Sequence, residues 1–118
     1  MKQEPYEMDE TRRLTVLASI REHCQYKSWP LLAAHVRTNH VHVILEATHP
    51  PEKILTELKA YASRKLNQVG MDTPDRRRWS RHGSTRYLWK REEVETAIVY
   101  VADRQGNPMA MYVNERTW

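Results

Sequence analysis

Apolar residues in this chain recur at helical spacing in three stretches and alternate along short runs between them. Leu14, Leu17, Ile20 and Cys24 follow one another at intervals of three and four, which predicts an amphipathic helix over 10–27 with those residues on its buried stripe. Asp9 is placed to cap it, and Glu10 puts an acid in the first turn, where backbone N–H groups have no helical partner. Arg12, Arg13, Arg21 and Glu22 fall on the outer face. Ser28-Trp29-Pro30 stops the helix, since proline disfavours helical geometry in the residue before it. Positions 31–37 and 40–47 then read as two strands joined at Thr38-Asn39, an antiparallel hairpin.

Thr48-His49-Pro50-Pro51-Glu52 opens a second helix, with Thr48 or His49 as its cap and prolines where first-turn N–H groups lack partners anyway. It runs to about Gln68, buries Ile54, Leu55, Leu58, Ala62 and Leu66, carries Lys59, Arg64 and Lys65 on its polar side and flank, and stops at Gly70. Positions 71–83 form a polar, arginine-rich loop with Asp72, Pro74 and Asp75 as turn residues. A third strand is predicted over 84–89 and a last helix over 92–105, whose stripe is Val94, Ala97, Ile98 and Val101. Residues 5–8 supply a short extended piece in front. The tail, 109–113, is apolar enough to dock on another surface, a second copy being one candidate. With the leading piece counted as a strand, the order is the β-α-β-β-α-β plan of a ferredoxin-like α+β sandwich plus a C-terminal helix.

Composition narrows the class. A chain of 118 residues with 40% apolar residues is sized for a single domain with one core. No apolar run approaches the roughly 20 residues that span a bilayer, and the first residues lack a signal peptide's apolar stretch, so a cytoplasmic location and no membrane partner are expected. The one cysteine, Cys24, forms no internal disulfide and lies on a helical stripe. A net charge of +4 says little alone. Its distribution says more, because Arg76, Arg77, Arg78, Arg81, Arg86, Lys90 and Arg91 crowd one stretch with Trp79, Tyr87 and Trp89 among them. Cations neutralise phosphates and aromatic faces stack on unpaired bases, although a solvated loop rimmed by arginine has the same composition.

Two features carry candidate chemistry. His40 and His42 flank Val41 in a predicted strand, so both imidazoles point one way while Val41, Val43 and Leu45 point to the other face. Two neighbouring imidazoles are half of a metal site, and equally an ordinary surface pair. The second feature is Tyr100, which at 100° per residue lies off the Val94/Ile98/Val101 stripe beside Thr96 and Arg104, whereas Tyr61 sits at the margin of the Ile54/Leu58 stripe. A phenol with a pKa of about 10 needs a base or a metal-polarised electrophile to act as a nucleophile. Taken alone, Tyr100 also reads as a half-exposed aromatic.

The Asn39-His40-Val41-His42 core followed by a tyrosine helix resembles the single-tyrosine HUH transposases, and within them the REP-associated tyrosine transposase-like proteins. The stretches that match are 36–43, 58–64, 83–89 and 97–101, and the resemblance reaches from about Tyr6 to Tyr112. It implies a ferredoxin-like, RRM-like nuclease domain over 1–118: an antiparallel sheet with helices on one face plus a C-terminal helix carrying the tyrosine. It further implies a homodimer acting on single-stranded or hairpin DNA and associated with the nucleoid when bound. The activity implied is metal-dependent nicking and strand transfer, with His40 and His42 as ligands for Mg²⁺ or Mn²⁺ and Tyr100 as the nucleophile that forms a 5′-phosphotyrosine link. The family's third ligand, a Gln or Asn one helical turn after the tyrosine, falls on Arg104, so Gln105 is the substitute, reachable where the helix loosens before Gly106. The family's N-terminal strand is reduced here to residues 5–8. The residues set against the nucleic acid are Arg37, Lys59, Arg64, Arg78, Arg81, Arg86, Tyr87 and Trp89. The alternative function is a shortened or domesticated relative that grips structured single strands without cutting. A histidine-triad nucleotide hydrolase is a third reading, disfavoured because Ile44 stands where a further alternating histidine is needed.

Overall fold

In the computed structural model, residues 6–47, 49–79, 95–99 and 109–113 are described. Helix α1 spans Glu10–Lys27, strand β1 Leu31–Val36, strand β2 Val41–Leu45, helix α2 Pro51–Gln68 and strand β3 Ala110–Val113. The arrangement is α+β. β1 lies between the other two strands in the order β2-β1-β3, antiparallel to both. α1 packs on β1 and β3 and, along another side, on α2. Val16, Leu17, Ile20, Cys24, Ala34, Val36, Ile54, Leu58, Ala62 and Leu66 belong to one buried cluster, so sheet and helices share a core. Burial of each large aliphatic side chain there stabilises the fold by roughly 1.5–3 kcal/mol. No described helix is long and apolar enough to cross a membrane.

α1 begins where its cap predicts, with Asp9 accepting the Arg12 backbone N–H at 2.9 Å. Its buried face differs from the expected one. Val16, Leu17, Ser19, Ile20, His23 and Cys24 are buried, while Leu14 is 53% exposed. Leu14 lies about 60° beyond Leu17 around the helix, away from the line through Val16, Ile20 and His23, so a spacing of three was not enough to keep it inside. Burial pushes the Cys24 thiol up to about 11, which leaves it an inert packing group.

Both helices stop by the same hydrogen-bonding motif. At the end of α1, Trp29 N–H reaches Cys24 C=O at 2.9 Å and Ser28 N–H reaches Gln25 C=O at 3.2 Å; at the end of α2, Met71 and Gly70 N–H reach Leu66 and Asn67 C=O, each at 3.0 Å. The left-handed residue this requires is Gly70 (φ 72°) in one case and the exposed Ser28 (φ 58°) in the other. A side chain is disfavoured there, so Ser28→Gly is expected to raise stability by about 0.5–1 kcal/mol, read as a higher urea midpoint with an unchanged slope. α2 itself starts one residue later than expected. Pro50 rather than Thr48 or His49 is its cap, with no side-chain bond, and the Pro50 carbonyl accepts from Lys53 and Ile54 N–H.

The apolar tail docks on its own sheet: it is β3, seated on β1 with Ala110 opposite Val36 and Val113 opposite Ala33. One further expectation is corrected. Residues 6–9 form no strand, yet they are anchored: Met8 is buried and its N–H donates to Thr38 C=O at 2.7 Å. Residues 95–99 are helical, as predicted for that part of the last helix, with Ala97 and Ile98 half-buried and Val99 exposed. The strand expected over 84–89 lies outside the described residues.

Candidate functional site

The β1–β2 hairpin builds the candidate site. Pairing of Val36 with Val41 and of Arg37 N–H with His40 C=O at 2.9 Å closes the turn at Thr38-Asn39, as the sequence predicts. From that turn the register follows: His35 lies opposite His42, Ala34 opposite Val43 and Ala33 opposite Ile44, and an extra residue at Leu32 before Leu31 meets Leu45. Val41, Val43 and Leu45 are half-buried against the core. His40 and His42 therefore share the face turned from it, with ring centroids 4.9 Å apart and planes nearly perpendicular at 85°.

The protonation pattern suits metal ligation. Burial pushes the His42 imidazole below its ordinary value, and the neighbouring charges of His40, His35 and Arg37 act in the same direction. A neutral ring keeps the lone pair a metal needs. His40 Nδ1 lies 2.8 Å from Asn39 Oδ1; the amide oxygen accepts, so Nδ1 carries the proton and Nε2 keeps its lone pair. A hydrogen bond that orients the ring from its other nitrogen is how ligating histidines are held. His40 and His42 thus fit as two ligands of a divalent ion. Among the described residues no group of three or more His, Cys, Asp or Glu side chains is arranged to hold a metal ion.

The histidine that sequence reasoning missed is His35. It is 1% exposed on the middle strand, directly across from His42 on one side and from Met111 on the other. Met109 N–H donates to its Nε2 at 3.0 Å, at the entry to β3. The signal was available, because a turn centred on Thr38-Asn39 pairs positions that sum to 77, and 35 pairs with 42.

The expected nucleic-acid contacts are distributed over the fold. Arg37 is half-buried beside the histidines, close enough for its charge to act on His42. Lys59 is half-buried on α2, and Arg64 is exposed on the same helix with its guanidinium 5.9 Å from the Tyr61 ring. Arg78 occupies a different setting, its side chain only 2% exposed. Its Nε pairs with Asp72 at 3.4 Å and its Nη2 donates to Asn67 Oδ1 at 2.7 Å. Asp72 also accepts from the Tyr6 hydroxyl at 2.6 Å and pairs with Arg12 at 3.3 Å, and Arg12 donates to Met71 C=O as well. Arg76 and Arg78 lie over the Tyr6 ring at 5.1 and 5.9 Å. Arg78 is thus a packing residue that ties the arginine loop to the N-terminal arm. Tyr100, Gln105, Arg81, Arg86, Tyr87 and Trp89 lie outside the described residues.

Comparison with known proteins returns no match among curated proteins or solved structures. The model of one family does match, over residues 5–101, and its description is "Transposase IS200 like". That span covers both hairpin histidines, the arginine loop and Tyr100, which agrees with the single-tyrosine resemblance read from the sequence. The chain belongs to the IS200-like transposase family, and its function is of the transposase type, directed at DNA.

Proposed function

We propose that this chain is a metal-dependent nuclease and strand transferase for single-stranded, hairpin-bearing DNA. The observation that carries the reading is the His40/His42 pair, two imidazoles on one sheet face with His42 held neutral, in a chain of this family. Two imidazoles suit Mn²⁺ better than Mg²⁺, whose preferred ligands are oxygens. Gln105 is the third ligand in this reading. A divalent ion held there would polarise a phosphodiester and stabilise charge on its oxygens.

The protein's own residues supply the rest. Tyr100 Oη attacks the scissile phosphorus, losing its proton to solvent or a nearby base. The bond from phosphorus to the 3′ oxygen breaks, the 3′ oxygen takes up a proton, and the DNA 5′ phosphate stays on tyrosine. Attack by another 3′-OH reverses the step and joins strands, so no nucleotide cofactor is needed. In this reading Arg37, beside the histidines, meets a phosphate, and Lys59 and Arg64 on α2 add basic contacts to the strand. Arg81, Arg86, Tyr87 and Trp89 supply the charge and stacking faces of the remaining contact. A homodimer is the assembly in which we place this activity.

The test is incubation of the protein with end-labelled hairpin single strands and Mn²⁺, read on a denaturing gel. A covalent protein–DNA adduct is expected, absent with chelator and reduced by roughly 10²-fold or more in His40→Ala and His42→Ala. DNA retained on a native gel with no adduct under any metal would refute the nuclease and leave a binding module.

A further inference from the structure

A buried imidazole on a central strand calls for an explanation, because an aliphatic side chain fills such a place without the cost of burying polar atoms. His35 is almost wholly buried on the middle strand, between Ala34 and Val36 in the chain, and has a strand on either side. Its Nε2 accepts the Met109 N–H, so the proton of the ring sits on Nδ1. That bond lies at the residue immediately before β3. On the opposite edge of β1 the cross-strand neighbour of His35 is His42. Directly opposed side chains in an antiparallel pair have Cβ atoms only about 4.5–5.5 Å apart, so the orientation of one ring limits the other.

We infer that His35 is a positioning residue: its imidazole, locked by the Met109 backbone, is the wall that sets the ring of His42 and ties the start of β3 to the histidine face. The inference rests on the reading of His40 and His42 as metal ligands and adds to it a residue that touches neither metal nor DNA. A chain that must bring a tyrosine from one segment to histidines on another gains from such a tie. The β1–β3 ladder alone holds the strand direction, but Met109 precedes its first paired residue, Ala110. The side-chain bond extends the anchor one residue back towards the helix. Thr38 adds a weaker contact of the same kind, its hydroxyl 3.7 Å from Met109 Sδ.

The experiment compares wild type with H35L, H35Q and H42A. Leu fills the space and removes the acceptor; Gln keeps a side-chain carbonyl that can accept the Met109 N–H. Two readings are taken: imidazole and amide ¹H–¹⁵N spectra of the metal-free protein, and Mn²⁺ affinity from the free-ion signal in electron paramagnetic resonance. H35L is expected to displace the His42 ring resonances, to lose exchange protection at the Met109 amide, and to bind Mn²⁺ about 10-fold or more weakly. H35Q is expected to restore Met109 protection and to bring Mn²⁺ affinity back to within about threefold. A lowered melting temperature in H35L with native His42 resonances and native Mn²⁺ affinity would overturn the inference, since a residue serving stability alone gives that result. If H35L fails to fold, H35Q decides: folded but with displaced His42 resonances and an unprotected Met109 amide, it overturns the role of the acceptor. H42A is the separate control. Undiminished Mn²⁺ binding in H42A refutes the metal-site reading, while the metal-free spectra still report whether His35 sets the His42 ring.

Discussion

Tyr100→Phe is expected to abolish the covalent DNA adduct and to lower nicking by roughly 10³-fold or more, with DNA binding and the melting temperature unchanged. The substitution keeps the ring and removes one oxygen, so packing and stacking persist and only the nucleophile is lost. Of the last helix the described residues are 95–99, where Ala97 and Ile98 are half-buried and Val99 is exposed, as the stripe read from the sequence expects at those positions. Tyr61→Phe is the matched control. Its hydroxyl donates to Glu22 at 3.2 Å in a polar seam between α1 and α2, where Lys65 also reaches Glu22 and where His23 and Lys27 pair with Glu57. Losing that hydroxyl is expected to cost no more than about 1 kcal/mol and to leave the adduct intact. The measurement is the denaturing-gel adduct assay on both variants side by side. An adduct that survives in Tyr100→Phe and vanishes in Tyr61→Phe would move the nucleophile to α2.

The largest effect on stability is expected from Asp72→Ala, a loss on the order of 3 kcal/mol. Asp72 is the one carboxylate that Tyr6, Arg12 and Arg78 share, and its side chain is only 13% exposed. Removing it leaves the guanidinium of Arg78 in a buried site with only the neutral Asn67 amide and Tyr6 ring beside it among the described contacts, and an uncompensated buried charge costs more than the pair contributed. The pH dependence follows from the same contacts. Burial raises the Asp72 carboxyl, but the hydrogen bonds from Tyr6 and Arg12 and the charges of Arg12 and Arg78 outweigh it, so the net shift is downward. A carboxyl held below its unfolded value contributes stability that is complete above that value, about 3.9, and is lost as the pH falls through the lower folded one. Wild-type melting temperature is therefore expected to drop as the solution is acidified below about pH 4, and the drop to be shallower in Asp72→Ala. Thermal melts of the two proteins between neutral and acid pH check both parts. Equal acid slopes would mean that Asp72 is not tied to this cluster in solution.

How much was readable beforehand depends on how local each determinant is. α1 and α2 follow from caps, prolines and apolar spacing, all of which act within a few residues, and both lie where expected. The hairpin follows from the same local rules, and with it the common face of His40 and His42, because alternation along a strand is a property of the backbone itself. Leu14 shows the boundary of such reasoning. Its spacing matched a helical stripe, but which arc of a helix is buried is settled by the surfaces packed against it. Arg78 shows the same boundary for charge: within a run of arginines nothing marks the one whose carboxylate lies at Asp72 and whose partner ring is Tyr6, six and seventy-two positions away.

The sequence by itself determined the family, the first two helices, the hairpin and the common face of His40 and His42, since each rests on neighbours in the chain or on a motif legible in it. Only the tertiary structure decided that the tail is a strand of its own sheet, that His35 meets Met109, and that Asp72 gathers Tyr6, Arg12 and Arg78. These contacts join residues up to 80 positions apart, Ala33 to Val113. No local periodicity encodes them; they follow from the one packing that buries the shared core and pairs the polar groups that core encloses.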